Sequence, residues 1–124
     1  MAGRGVFSIP WVRSAGRSVE LCRWVAFRVR YLKYRWDEDR GDEYADWGAS
    51  WWLTEFGPDG YRTRQIELYD SGPRLRYSQA HLEDEFGGLG LVNLGEIDLA
   101  EQEEIDAQEF EAVWRSGPWY NAGG

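Results

Sequence analysis

Three charged residues near the middle of this 124-residue chain have the types and spacing to do chemistry: Glu55, Arg62 and Arg64. A carboxylate beside two guanidinium groups can orient an anion through forked, charge-assisted hydrogen bonds, or take part in proton transfer. Tyr61 and Tyr34 are the aromatic hydroxyls that would accompany them. If the chain folds back at Gly57–Gly60, Glu55 comes to lie beside Arg62 and diagonal to Arg64, on the same side as the apolar residues. A charge on a core-facing side must be paired. The trio therefore reads either as a polar corner that grips a carboxylate or a backbone, or as a structural ion pair at the sheet rim.

Other motifs fall short of a reaction. His81 is the only histidine, so a catalytic triad, a multi-histidine metal site or a histidine pH switch lacks parts. A G-x-G-x-x-G count from Gly88 meets Asn93 where the last glycine belongs, and no P-loop lysine follows. The acidic run Asp37–Asp46 places Asp37 and Asp39 as an EF-hand would, but puts Gly41 and Asp42 at its fifth and sixth positions. We expect a solvated loop there, no metal and no cofactor, and we read the chain as more a binder than an enzyme.

The elements that must position these residues are clearest over residues 51–77, WWLTEFGPDGYRTRQIELYDSGPRLRY. Gly-Pro-Asp-Gly and Asp-Ser-Gly-Pro are turn chemistry between three runs rich in β-branched and aromatic residues. They predict a three-stranded antiparallel meander. Four-residue turns would place Phe56 opposite Tyr61, Trp51 opposite Ile66, Leu68 opposite Leu75 and Ile66 opposite Tyr77. Trp51, Leu53, Ile66, Leu68, Leu75 and Tyr77 would then share one face, with Glu67 opposite Arg76 on the other. A strand over 31–36 adds Leu32, Tyr34 and Trp36 in one phase, and a last short strand is expected near 91–97.

Asp106-Ala107-Gln108-Glu109 is a capping-box pattern opening a helix over 107–115, with Phe110, Val113 and Trp114 forming one apolar stripe. Gly117-Pro118 stops it. The expected fold is α+β: an antiparallel sheet of about four strands with a C-terminal helix on one face. Residues 30–116 form the domain, 1–29 a poorly ordered extension, Arg- and Ser-rich like a targeting leader but with Gly3, Gly5 and Pro10 breaking the amphipathic helix one needs, and 117–124 a flexible tail.

The formal net charge is −8, yet residues 1–30 hold six arginines and one acid, leaving −13 on the remainder. An acidic body argues against nucleic acid and permits a basic protein partner. No apolar run approaches a membrane span, and a single cysteine, Cys22, suits the cytoplasm. Trp52, Phe56, Tyr61 and Tyr69, on the face away from the helix, form a candidate interface cluster. These features suggest a small acidic binding protein, of immunity or antitoxin type. The alternative is an anion-binding sensor or enzyme using the Glu55/Arg62/Arg64 corner.

The motifs, in order, are Tyr31–Trp36; Glu55, Gly60-Tyr61, Arg64 and Ile66-Glu67; Tyr77-Ser78; Leu94-Gly95-Glu96; and Glu104-Ile105-Asp106 leading into Glu109–Trp114. Over residues 30–115 this order resembles a family of small uncharacterised bacterial domains of unknown function. Gly72-Pro73 replaces a plainer turn, and the segment before Ile105 is shortened. The resemblance implies a stand-alone domain beginning near residue 30, and brings no activity or catalytic residue with it.

Overall fold

The structure is a computed structural model that describes residues 28–121. Apart from Arg28 and Val29, the expected N-terminal extension lies outside the described residues. The chain forms strands β1 (Arg30–Trp36), β2 (Ser50–Phe56), β3 (Arg62–Tyr69) and β4 (Arg74–Ser78), a two-residue hairpin of β5 (Glu83–Asp84) and β6 (Gly87–Gly88), strand β7 (Glu103–Ile105) and helix α1 (Ala107–Trp114). The main sheet runs β4-β3-β2-β1-β7, antiparallel throughout, so the fold is α+β with five strands. The fifth strand is β7; the region expected to supply it, 91–97, instead holds a 3-10 turn at Leu94–Glu96.

Helix α1 begins as its sequence demands: the Asp106 carboxylate accepts the Glu109 backbone N–H at 2.8 Å. Its stripe covers one sheet face, where Phe110 packs with Leu53, Ile66 and Ile105 while Tyr31, Leu68, Val113, Trp114 and Trp119 close the edges. Eight residues are too few to hold a helix alone. Its stability comes from this burial, with Phe110 fully covered.

The meander is present, but both hairpins close more tightly than four-residue turns. In the first, the Gly57 N–H donates to the Tyr61 carbonyl, and the register then slips so that Phe56 faces Arg62 and Glu55 faces Arg64. One extra residue on β3 against one step on β2 is a bulge, and it sits at Thr63. Trp51 consequently faces Leu68 rather than Ile66, a shift of two that leaves the apolar face intact.

The second hairpin differs by one residue, with larger consequences. Tyr69 donates to the Pro73 carbonyl, so the loop is only Asp70-Ser71-Gly72, with Gly72 at φ 124°. Leu68 faces Arg74 and Gln65 faces Tyr77. Leu75 and Tyr77 therefore point away from the helix, and Glu67 faces Leu75, not Arg76.

That second face is not open. Trp47, Tyr69, Leu75 and Tyr77 form a second core, with Tyr44, Phe86 and Leu89 packed against it. The acidic loop after β1 thus keeps its carboxylates in solvent while Tyr44 and Trp47 cover the sheet. Arg40 fastens it: the guanidinium lies over the rings of Tyr44, Trp47 and Tyr69 at 5.3–5.7 Å and donates to the Phe86 carbonyl. The tail is fastened as well. Trp119 packs at a tilt beside Trp114, the Tyr120 N–H donates to the Arg74 carbonyl at 2.7 Å, and buried Asn121 exchanges hydrogen bonds with the Arg76 backbone. Residues 117–121 are part of the domain, contrary to the flexible tail expected there.

Candidate binding cleft

The sequence-predicted trio is split by the Thr63 bulge. Glu55 and Arg64 remain together on the helix face, where Arg64 donates to both Glu55 oxygens at 2.9 and 2.7 Å. The Thr63 hydroxyl adds a 2.7 Å bond to Glu55, and Glu111 of α1 takes the other side of the guanidinium. Arg64 also lies over the rings of Phe110 and Trp114 at 4.9 and 5.0 Å. Burial works to raise the Glu55 pKa, but hydrogen bonds from Arg64, Thr63 and Tyr31 outweigh it and hold the carboxyl below its ordinary value. Glu111 is lowered chiefly by its bond to Arg64, and Arg64 is raised by Glu55. Every charge here has an opposite at contact distance, the arrangement of a structural staple between sheet and helix.

Arg62 goes to the other face. Its Nη1 donates to the Gln65 side-chain oxygen at 3.0 Å, and its guanidinium lies 5.7 Å over the Phe56 ring. Gly90 makes room for it, since a Cβ at that position would come within 2.8 Å of Nη1. Gln65, almost fully buried, receives a second donor from the Gly90 N–H and gives its own N–H groups to Glu67 and to the Gly88 carbonyl. Glu67 is buried too; it accepts from the Tyr69 hydroxyl at 2.5 Å and from Gln65 at 2.7 Å. Burial raises the Glu67 pKa, against those bonds. Burial likewise lowers the Arg62 pKa, with only the more distant Glu67 charge opposing it.

Beside Arg62 a cleft of about 230 Å³ opens. Tyr34 and Trp36 of β1 and Trp52, Thr54 and Phe56 of β2 contribute the sheet side, and Ile97 and Gln102 the opposite wall. Trp36 and Trp52 meet edge to face at 5.7 Å, and the Trp52 indole N–H is held by the Ser50 hydroxyl at 2.8 Å. The candidate interface cluster is therefore redistributed. Phe56 and Tyr69 are buried, 1 % and 5 % exposed, because loops cover the face expected to be open. Trp52 is half-buried in the cleft wall, and Tyr61 stands alone in solvent. Trp52, Phe56 and Arg62, drawn from two separate predicted groups, come together with Tyr34.

His81 is not a free surface group. It bonds the Asp84 carboxylate at 2.8 Å and stacks on Tyr77. Burial raises Asp84, but bonds from His81, Asn121, the Phe86 N–H and Tyr77 bring it down to about 2. Asp84 thereby ties β4, the β5–β6 hairpin and the tail together. Among the described residues no group of three or more His, Cys, Asp or Glu side chains could hold a metal ion, and no helix is long and apolar enough to cross a membrane.

Sequence reasoning missed Gln65, Glu67 and Ile97. Gln65 and Glu67 read as solvent-facing polar positions of an alternating strand. The available signal was the pairing of a glutamine with a Gly-rich segment, Gly87–Gly90, that brings backbone close enough to bond it. Comparison with protein-family models, with curated proteins and with solved structures finds no match for this chain.

Proposed function

We propose that the chain is a small acidic, non-catalytic binding protein and that it engages a basic protein partner, in the manner of an immunity or antitoxin protein, at the Trp52 cleft. One observation carries the reading. A single segment supplies both a wall of the aromatic cleft, through Ile97 and Gln102, and a run of exposed carboxylates at Glu96, Asp98, Glu101 and Glu103. Aromatic anchors beside complementary charge are the composition of a recognition site: the anchors supply affinity, the charges steer encounter. The Glu55–Arg64–Glu111 cluster is saturated by its own partners and gives a substrate nothing to bind. A cytoplasmic setting and kinship with small uncharacterised bacterial domains, supported by the lone cysteine and by the order of short motifs, belong to the same proposal.

The test is capture by the immobilised full-length chain from lysate at low ionic strength. The expected result is a discrete basic protein that elutes as salt rises. Its retention should fall about tenfold when Glu101 and Glu103 are both changed to Lys, through slower association, and fall also with Trp52→Ala. Equal retention by the parent and both variants would sink the proposal.

A further inference from the structure

We infer that the cleft holds a small aromatic carboxylate, with Arg62 taking the anionic group and Trp36 and Trp52 enclosing the flat body. The inference rests on the cleft being a recognition site, as proposed above, and adds to it a ligand of defined chemistry.

Among the described residues no carboxylate lies within ion-pair distance of the Arg62 guanidinium, whereas Arg64, two residues on, has two. The Arg62 Nε is buried with no hydrogen-bond partner, and its single bond is to a neutral amide oxygen. Arg74 and Arg76 also carry a buried Nε without a partner, but Trp119, and Trp114 with Trp119, lie against their guanidinium faces at 4.8–4.9 Å. The Arg62 guanidinium has the Phe56 ring at 5.7 Å and the Gly90 backbone against it, and the residue lines the cleft. A partly desolvated cation without a counter-ion is costly, and a bound carboxylate, accepting two parallel N–H groups, is the partner that fits a guanidinium fork.

The remainder of the site limits the ligand's body. About 230 Å³ is smaller than the roughly 300–1,000 Å³ of sites for drug-sized ligands, so the ligand is small. Its walls are the faces and edges of Tyr34, Trp36 and Trp52, which favour a flat, apolar group over a flexible polar one. Gln65 positions the cation: fixed by Gly90, Gly88 and Glu67, it holds one N–H of Nη1 and leaves Nη2 and the second Nη1 N–H, the fork away from the buried Nε, to the ligand.

Isothermal titration of the full chain with indole-3-acetate and, separately, indole-3-acetamide tests this directly. The acid should bind at least about tenfold more tightly than the isosteric amide, since only the acid forms the charge-assisted pair. Arg62→Gln should abolish that difference while Trp52→Ala weakens both. Because either variant could disturb the fold, Arg62→Lys serves as a second probe: it keeps the charge and loses the fork, and is expected to weaken the acid more than the amide. Acid and amide binding equally in the parent would overturn the role of Arg62 and leave the cleft as a recognition site. No binding of either would overturn the small-ligand inference, while partner capture by the parent would still stand independently. A basic peptide ending in tryptophan is the further arm: if it binds through its free carboxylate and indole-3-acetate does not, the ligand is a chain terminus and the inference fails.

Discussion

Arg62 and Arg64 are two residues apart on one strand, yet they occupy opposite electrostatic situations. Arg64 has two carboxylates in contact and aromatic rings beneath it; its protonated form is reinforced. Arg62 has an amide, a ring and a cleft, and burial weakens its protonated form. Strict alternation would have placed them side by side. The bulge at Thr63 separates them, assigning one to the helix interface and the other to the second face. A saturated ion cluster and an unsaturated one thus arise from the same residue type, and the unsaturated one is where a ligand can contribute something the protein lacks.

The contrast can be broken most forcefully at the seat of Arg64. Phe110→Ala removes a fully buried ring between helix and sheet and should cost about 4 kcal/mol, measured by urea unfolding. Arg64→Met should cost about 3 kcal/mol by the same measurement, because it leaves the largely covered Glu55 carboxylate without its cation.

Acid unfolding separates the two arginines further. Glu55 and Glu111 have folded pKa values below the ordinary 4.5. Their contribution is therefore complete above about 4.5 and is lost as pH falls through the folded values. The parent should lose stability progressively below about pH 4.5, Arg64→Met should show a shallower slope there, and Arg62→Met should keep the parent slope. The smallest effect belongs to Arg62→Met at neutral pH: a change within about 1 kcal/mol of either sign, since removing a desolvated cation relieves about as much as its bond to Gln65 and its ring contact supplied. A loss as large as that of Arg64→Met would erase the distinction between the two arginines.

Much of the architecture was readable in advance. Asp106 and Glu109 marked the start of α1, the spacing of Phe110, Val113 and Trp114 marked its buried stripe, and the turn residues at 57–60 and 70–73 marked the meander. These signals are local: a cap needs an acceptor at one position, a stripe a period, a turn a Gly or Pro. The second face of the sheet was not readable, because its cover comes from Tyr44, Trp47, Phe86 and Leu89, residues of irregular loops with no period to announce which side they pack on. Tyr69 and Phe56 consequently looked available for contact and are buried.

The residues alone specify four extended segments rich in aromatic side chains and arginine, too short to be stable alone, and one capped helix that must cover a sheet; the fifth strand, Glu103–Ile105, carries neither signal. Which side Arg62, Leu75 and Tyr77 occupy is set instead by loop length and a bulge in the folded chain. Leu75 and Tyr77 alternate with Arg74 and Arg76, so either pair can be buried: the aliphatic and phenolic groups by apolar cover, the arginines by stacking on Trp114 and Trp119. A three-residue loop in place of four, and one bulge at Thr63, choose between these arrangements. Each changes a strand's phase by a single residue, and because side chains alternate with a period of two, a single residue is enough to exchange one face for the other.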